Sequence, residues 1–350
     1  MKACIGWEIP EAAAMEKYML RYWESESHME EIRTYKVGMK LKGRLTQLPD
    51  SQKIFGALTY LLGEYTTSEN AGSFVADVKE RKVFCSLSDM LPEGFLPVPQ
   101  TWFLDCVDKS DGIAEPKKLY KAIKQRQYMD ENKIMQMMDN PQQIENSYPY
   151  ISVYNSHQIH ASLESLQYGL PGLDPEIYSV PECIVEEVRI SGGREERSQV
   201  TDFCFYLGAD KGEKMEQLIQ IIKKAQEQER LFFLGARSSQ GMNTFVIKDI
   251  TAVSRKSESN AVRYLNLGML LPDKIDFNKS YLKIFTSERR PFHMPGGWEK
   301  DVCGQVVSFI QQGSIIYPLG DPGSAGKCIQ SVFDENAILF GNAFMLPMNY

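Results

Sequence analysis

The feature that most limits the fold of this 350-residue chain is a strand followed by an amphipathic helix, a pattern that occurs twice. In the first copy, apolar and polar residues alternate over 33–46, and a helix starting near Ser51 has one apolar face. In the second copy, a strand over 199–207 precedes an amphipathic helix over 211–229. Because a helix with one apolar face must cover another layer, the pattern predicts an α+β protein.

The repeated pattern also predicts the division of the chain into domains. We expect two tandem ferredoxin-like domains of β-α-β-β-α-β order, over 33–155 and 199–350. Between them, 156–198 contains Pro-flanked segments, a strand-like run and the turn at 191–194, which is the pattern of an inserted β-hairpin. As an insertion between domains, this hairpin is expected to contribute little to either core.

Residues 1–32 are expected to be an acidic N-terminal extension of the fold. Their seven acidic and three basic residues would repel a phosphate backbone. Apolar and aromatic residues between 15 and 22 fall at helical spacing. The segment is therefore expected to form a helix that packs on its own domain or docks a protein partner, and not to recognise RNA.

A glycine-bounded loop follows the second helix, within the sequence LFFLGARSSQGMNTF at 231–245. Glycines permit positive φ and a close approach by a ligand, serines and free main-chain amides suit phosphate oxygens, and an arginine adds positive charge. The residues concerned are Gly235, Gly241, Ser238, Ser239 and Arg237. The same composition is also typical of an ordinary turn, so the loop alone does not decide between the two interpretations.

A predicted helix over 115–127 carries Lys117, Lys121 and Lys124 on one side. Such a stripe of lysines could bind phosphates, although most charged stripes are simply solvated helix faces.

The segment that follows the strand at 148–154 contains His157 and His160. This HxxH pair lacks the glutamate of a zincin, and the seven cysteines show no matching ligand spacing. A metal pair or a catalytic base is therefore poorly supported. Contacts with RNA bases and an ordinary loop both remain open.

Composition limits the class of protein. A formal net charge of −7 means that any nucleic-acid site must be a local basic patch on an acidic body. Scattered cysteines without a CxxC pair indicate reduced thiols, and neither a metal nor another cofactor is expected. The chain lacks the layout of a secretory signal and an apolar run of about 18 residues, so we expect a cytoplasmic protein without a membrane partner.

Four stretches together resemble the RAMP superfamily of CRISPR proteins. They are QKIFGAL at 52–58, HQIHASLE at 157–164, LGARSSQGMNTF at 234–245 and VVSFIQQGSIIY at 306–317. The resemblance is greatest to the fourth Csm subunits of type III-A effector complexes, the group that holds the 5′ handle of the crRNA. It covers roughly residues 34–320, with Gln240 and Met242 departing from the small residues of the family's loop.

The resemblance implies a non-catalytic RNA-binding subunit with two RRM-like ferredoxin domains and a hairpin that acts as a thumb. Its partners would be the crRNA 5′ handle, the large polymerase-like Csm subunit, the backbone RAMP subunit and, indirectly through the thumb, target RNA. Our candidate RNA contacts are Gly235, Arg237, Ser238, Ser239, Gly241, Ser51, Lys53, Lys117, Lys121, Lys124, His157, His160 and Arg194.

Two other functions remain open from the sequence. The first is a RAMP endoribonuclease that uses His157 or His160 as general base, with Arg237 stabilising the pentavalent phosphate. The second is a protein-only scaffold subunit, which the acidic net charge favours. Cleavage assays on repeat RNA test the first, and crosslinking to guide RNA tests the second.

Overall fold

The structure is a computed structural model, and it describes residues 32–109, 115–161, 177–253, 261–288, 306–331 and 337–348. The expected acidic extension, apart from Ile32, lies outside the described residues. The helices are α1 Ser51–Tyr65, α2 Ser68–Lys79, α3 Gln100–Lys109, α4 Pro116–Gln125, α5 Glu131–Asp139 and α6 Glu213–Glu227.

The strands in the same ranges are β1 Arg33–Leu41, β2 Cys85–Leu87, β3 Leu91–Pro92, β4 Leu96–Pro97, β5 Tyr128–Met129, β6 Tyr150–Ala161, β7 Ile177–Ser191, β8 Arg194–Gln199, β9 Asp202–Ala209, β10 Leu231–Phe233, β11 Thr244–Val253, β12 Tyr264–Asn266, β13 Ile284–Glu288, β14 Val306–Ile310, β15 Ile315–Ile316, β16 Ile329–Gln330, β17 Ile338–Leu339 and β18 Met345–Pro347. Short 3₁₀ turns occupy Pro141–Asn146, Ser238–Gln240 and Pro322–Ser324.

The principal sheet is antiparallel and has the strand order β10-β11-β1-β9-β2, with β3 also paired to β9. In chain order, β1, α1, β2, β9, α6 and β11 give a β-α-β-β-α-β series. Alternate residues of β1, such as Val37 and Met39, are buried, whereas Lys36 and Lys40 lie on the opposite face. The buried face packs on α1 and α6, which contact each other.

The strands of this sheet come from both sides of the expected domain boundary at residue 199. We expected β1 in the first domain and β9 and β11 in the second, but β1 lies between them, with Val37 opposite both Phe205 and Ile250. One β-α-β-β-α-β unit is therefore built from both segments. A second such unit is not established by the described residues, so the tandem arrangement stays a prediction.

The two helices of this unit are confirmed. Helix α1 begins at Ser51 because the side chain of Asp50 accepts a hydrogen bond from the Lys53 amide at 2.9 Å, which caps its first turn. The predicted apolar faces are buried in both helices: Ile54, Phe55, Leu58, Leu61 and Leu62 in α1, and Met215, Leu218, Ile219, Ile222 and Ala225 in α6. Tyr65, the last residue predicted for the α1 face, is only partly buried.

A second antiparallel sheet has the order β4-β5-β6-β7-β8. We expected a strand at 148–154 and then a loop, but β6 continues to Ala161 because it pairs with β7 along its whole length. The turn between β7 and β8 is present, with positive φ at Gly192 and Gly193.

Strand β7 belongs to the core of the molecule. Cys183, Val185 and Val188 are buried in the same apolar cluster as the principal sheet. The expectation that the segment 156–198 contributes little to either core is therefore wrong for β7.

The C-terminal part forms three small sheets, β15-β12-β18, β13-β14 and β16-β17. Phe340 joins this part to the principal core, with its ring stacked 4.3 Å from that of Phe55. In the described part of the chain, no helix has the length and apolar composition needed to cross a membrane.

Candidate nucleic-acid interface

The glycine-bounded loop, residues 234–243, connects β10 to β11 through a short turn flanked by two left-handed residues. Arg237 has φ 62° and Gly241 has φ 74°, and Ser238–Gln240 form a 3₁₀ turn between them. The amide of Gln240 donates to the Arg237 carbonyl at 3.0 Å. The sequence correctly predicted positive φ at Gly241, and it gave no indication that Arg237 shares this conformation.

A buried asparagine holds the loop in place. Asn243 donates from Nδ2 to the hydroxyl of Thr46 and to the carbonyl of Ala236, both at 2.8 Å. Its Oδ1 accepts from the Thr46 amide at 2.9 Å, and its own amide donates to the Arg44 carbonyl at 2.7 Å. These bonds fasten the loop to the segment 42–50, which connects β1 to α1.

The loop and this segment approach so closely that one position requires glycine. A Cβ atom added at Gly43 would lie 1.9 Å from the carbonyl oxygen of Gly241. Any side chain at position 43 would therefore push the loop away. The close approach places Lys42 and Arg44, the neighbours of Gly43, beside the loop.

Five consecutive main-chain amides of the loop, from Gly235 to Ser239, donate no hydrogen bond to another described residue. Successive free amides in a turn form a concave site for anions. Ser238 and Ser239 are exposed, and the Arg237 guanidinium contacts only the side-chain oxygen of Gln240, at 3.3 Å, within the described structure. The loop therefore presents donors and a positive charge that has no carboxylate partner there.

Two further cations beside the loop were missed by the sequence reasoning. Lys42 is exposed and has no acidic partner among the residues that the structure describes. Arg44 is 58% exposed, and its Nε lies 3.8 Å from a Glu182 carboxylate oxygen, which is too long for a hydrogen bond. We assigned both residues to the first strand, but β1 ends at Leu41. A Lys-Gly-Arg sequence immediately after a strand is the signal that could have identified them.

The start of α1 adjoins this site but differs from the prediction. Ser51 is fully buried, its hydroxyl accepts from the Met269 amide at 3.0 Å, and its amide donates to Asp89 Oδ1 at 2.7 Å. Ser51 is therefore a structural residue and is withdrawn from the candidate RNA contacts. Lys53 remains partly exposed, but its ammonium binds the carboxylate of Asp50.

The carboxyl group of Asp89 lies beneath the first turn of α1. Burial raises its pKa to about 7, and the nearby Asp50 carboxylate acts in the same direction, against the hydrogen bond from the Ser51 amide.

The face of the principal sheet opposite α1 and α6 carries cations that are already paired with carboxylates. Lys36 and Lys248 each bind Glu93, with nitrogen–oxygen distances of 3.0 Å, and Lys40 binds Asp202 at 2.8 Å. An RNA bound to this face would have to compete with these carboxylates. Free positive charge is therefore greater beside the loop than on this face.

The three candidate lysines of α4 lie on a different part of the molecule, where α4 packs against α3 and the turn at 141–146. Lys117, Lys121 and Lys124 are exposed and have no carboxylate partner among the described residues, whereas their neighbour Lys118 binds Glu145. The predicted stripe is present, but the structure does not bring it together with the loop.

The two histidines lie three positions apart on strand β6, so their side chains point to opposite faces of the sheet. His160 stacks on Tyr178, with ring centroids 5.5 Å apart, and His157 is exposed opposite Pro181. One metal ion or one phosphate cannot be shared by side chains on opposite faces. Arg194, at the exposed turn between β7 and β8, also lies on this sheet.

Comparisons with known proteins identify the fold. No protein-family model and no curated protein sequence matches the chain. Among solved structures, the chain is similar to one in "Crystal structure of Csm1-Csm4 cassette in complex with cA4", with a TM-score of 0.53, 13% identity, and coverage of 91% of this chain and 98% of that chain. It is equally similar to one in "Crystal structure of Csm3-Csm4 subcomplex in the type III-A CRISPR-Cas interference complex", with a TM-score of 0.52, 13% identity, and coverage of 91% and 100%.

Csm4 is the component that both complexes have in common. The chain has a Csm4-like fold. The resemblance predicted from the sequence is thereby confirmed at the level of the fold.

Proposed function

We propose that the chain is a non-catalytic RNA-binding subunit of a type III-A effector complex, and that it holds the 5′ handle of the crRNA. The observation that carries the proposal concerns the described residues: five consecutive amides from Gly235 to Ser239 donate to none of them, and the neighbouring Arg237 has no carboxylate partner among them. Single-stranded RNA is held by main-chain donors and a small number of cations along its phosphates. The loop supplies both, on a support fixed by Asn243.

The proposed contacts with RNA centre on the glycine-bounded loop. We predict contacts from Gly235, Arg237, Ser238, Ser239 and Gly241, and we add Lys42 and Arg44 on the segment after β1. Contacts from Lys53, Lys117, Lys121, Lys124, His157, His160 and Arg194 stay predictions.

The partners proposed for this chain are a large polymerase-like subunit and a backbone RAMP subunit. Support comes from the similar structures, which are complexes of Csm4 with Csm1 and with Csm3. In this arrangement the sheet that contains β6, β7 and β8 acts as the thumb and reaches target RNA indirectly.

The endoribonuclease alternative has little geometric support. A general base needs a residue that orients it and a stabilising group on the same side of the phosphate. His157 and His160 lie on opposite faces of a sheet, and they belong to a different sheet from the strands that hold Arg237. We therefore expect that repeat RNA is not cleaved.

The test is a titration of labelled handle RNA with the assembled complex at several salt concentrations. Arg237→Ala should weaken binding by on the order of 1.5–3 kcal/mol, the range for a hydrogen bond to a charged group. It should also reduce the slope of log K against log salt by roughly 0.7, the value for one lost contact to a single strand. Lys223→Ala is the matched control, because Lys223 is exposed on α6 and has no ion-pair partner in the described structure.

Unchanged affinity and slope for Arg237→Ala would remove the loop from the RNA site. If the complex also failed to crosslink to guide RNA through this chain, the protein-only scaffold would be the better description.

A further inference from the structure

A trough of about 480 Å³ runs between α1 and β10, on the edge of the principal sheet. One wall is the face of α1 that carries Lys53, Gly56, Tyr60 and Glu64, and the other is Arg230 with the residues 231–235. In the described structure β10 pairs only with β11, so its other edge faces this trough.

The main chain of β10 directs to that edge hydrogen-bonding groups that no described residue uses. The amide of Leu234 donates to the carbonyl of Asn243, the residue opposite it on the neighbouring chain segment. Along an antiparallel ladder, hydrogen-bonded pairs alternate with pairs that are not hydrogen-bonded to each other. Phe233, opposite Thr244, therefore points its amide and carbonyl away from β11, as does Leu231. The bond of Thr244 supports this assignment: its carbonyl points towards β1, where it accepts from the Lys42 amide, and therefore does not point towards Phe233.

Exposed apolar side chains flank the free edge on both faces of the sheet. Tyr60 is 71% exposed on the α1 side, while Leu231 and Phe233 are 45% and 50% exposed on the other side. Free sheet edges are normally protected by charged residues, by proline or by a covering segment, because they readily pair with other chains. The strand β10 is short but contains neither a charge nor a proline, so its free edge can accept another segment.

The charges of the trough favour a polypeptide over RNA. Lys53 binds Asp50 near one end, and Arg230 binds both oxygens of Glu64, at 2.8 and 2.9 Å, near the other. Both cations on its rim are therefore neutralised within the chain. Among the described residues of the trough, no cation is free to bind a nucleic-acid phosphate, whereas a neutral polypeptide segment needs no counter-charge.

We propose that this trough binds an extended, apolar segment of a partner protein, which adds a strand beside β10. The α1 wall from Lys53 to Glu64 is about 16 Å long, which matches roughly five residues of extended chain. Main-chain hydrogen bonds to Leu231 and Phe233 would give affinity, and apolar side chains against Tyr60 and Phe233 would give specificity. The proposal is independent of RNA binding by the glycine-bounded loop.

The test uses the full chain and a phage-displayed library of random seven-residue peptides as the probe. We expect enrichment of peptides with β-branched or aromatic residues and no net charge. A labelled copy of an enriched peptide is then titrated against two variants. Gly56→Leu fills the trough, and Gly72→Leu on α2 is the matched control, since a Cβ at either glycine meets no atom within 4 Å.

Gly56→Leu should weaken peptide binding at least about tenfold, which corresponds to 1.4 kcal/mol, and Gly72→Leu should not. Hydrogen exchange at the amides of Leu231 and Phe233 should slow when the peptide is bound. The absence of enriched peptides would overturn the proposal, and so would equal binding by wild type and Gly56→Leu. If Gly56→Leu weakened handle RNA as much as Arg237→Ala does, the trough would belong to the RNA site instead.

Discussion

Asn243 and Thr46, which lie 197 positions apart in the chain, are joined by two hydrogen bonds. The amide of Thr46 donates to Asn243 Oδ1, and Asn243 Nδ2 donates to the Thr46 hydroxyl. The pair ties the loop between β10 and β11 to the segment between β1 and α1. One buried side chain therefore links both sides of the candidate RNA interface, beside the main-chain bond from the Asn243 amide to the Arg44 carbonyl.

Asn243→Ala should lower the free energy of unfolding by about 2–4 kcal/mol. The substitution removes three side-chain hydrogen bonds, each worth about 1 kcal/mol, and leaves their partners near the interior without replacements. Alanine also tolerates the native φ of 52° less well than asparagine does. Urea denaturation measures the change. Thr46→Val, which removes only the hydroxyl, should cost less, and an equal loss in both variants would contradict this account.

Gly43→Ala should displace the glycine-bounded loop. The new methyl group would lie 1.9 Å from the Gly241 carbonyl oxygen, a distance that only backbone movement can relieve. We expect a loss of stability of about 1–3 kcal/mol, the usual cost of overpacking, together with weaker binding of handle RNA.

Gly72→Ala on α2 is the control for this substitution. A Cβ there meets no atom within 4 Å, and alanine favours a helix over glycine, so stability should rise slightly. If Gly43→Ala behaved like Gly72→Ala, the close contact between the two loops would not exist in solution.

The helices of the fold could be predicted because their signals are local. The apolar faces of α1 and α6 repeat at helical spacing, and Asp50 lies at the capping position. The neighbours of β1 could not be predicted, because alternation shows which residues face the core and does not show which strand lies alongside. The pairing of Val37 with Phe205 and Ile250 joins positions more than 160 residues apart.

In the candidate site, too, local features could be predicted from the sequence and long-range contacts could not. The positive φ of Gly241 follows from its residue type, and so does the suitability of the loop for anions. The roles of Lys42, Arg44 and Asn243 depend on a contact between two distant loops, and the burial of Ser51 depends on the segment around Met269. Such contacts leave no periodic pattern in the sequence.

Asp89 should make the protein less stable as the pH rises, which is the opposite of the usual effect of a carboxylate. Burial raises its pKa to about 7 in the folded protein, whereas in the unfolded chain it loses its proton near pH 4. Between these values the folded state holds a proton that the unfolded state has released. The contribution of Asp89 to stability is therefore fully present below about pH 4, and it is lost as the pH rises through about 7.

Asp89→Asn should remove this dependence, because an amide stays neutral while its oxygen can still accept from the Ser51 amide. Relative to the variant, the wild type should lose on the order of 2–4 kcal/mol between pH 4 and pH 8, since one pKa unit corresponds to about 1.4 kcal/mol. Urea denaturation at pH 4, 5, 6, 7 and 8 measures the difference. Asp139→Asn, at the exposed end of α5, is the control and should show no comparable trend. A constant difference between wild type and Asp89→Asn over this range would show that the Asp89 carboxyl group ionises in the folded protein as it does in the unfolded chain.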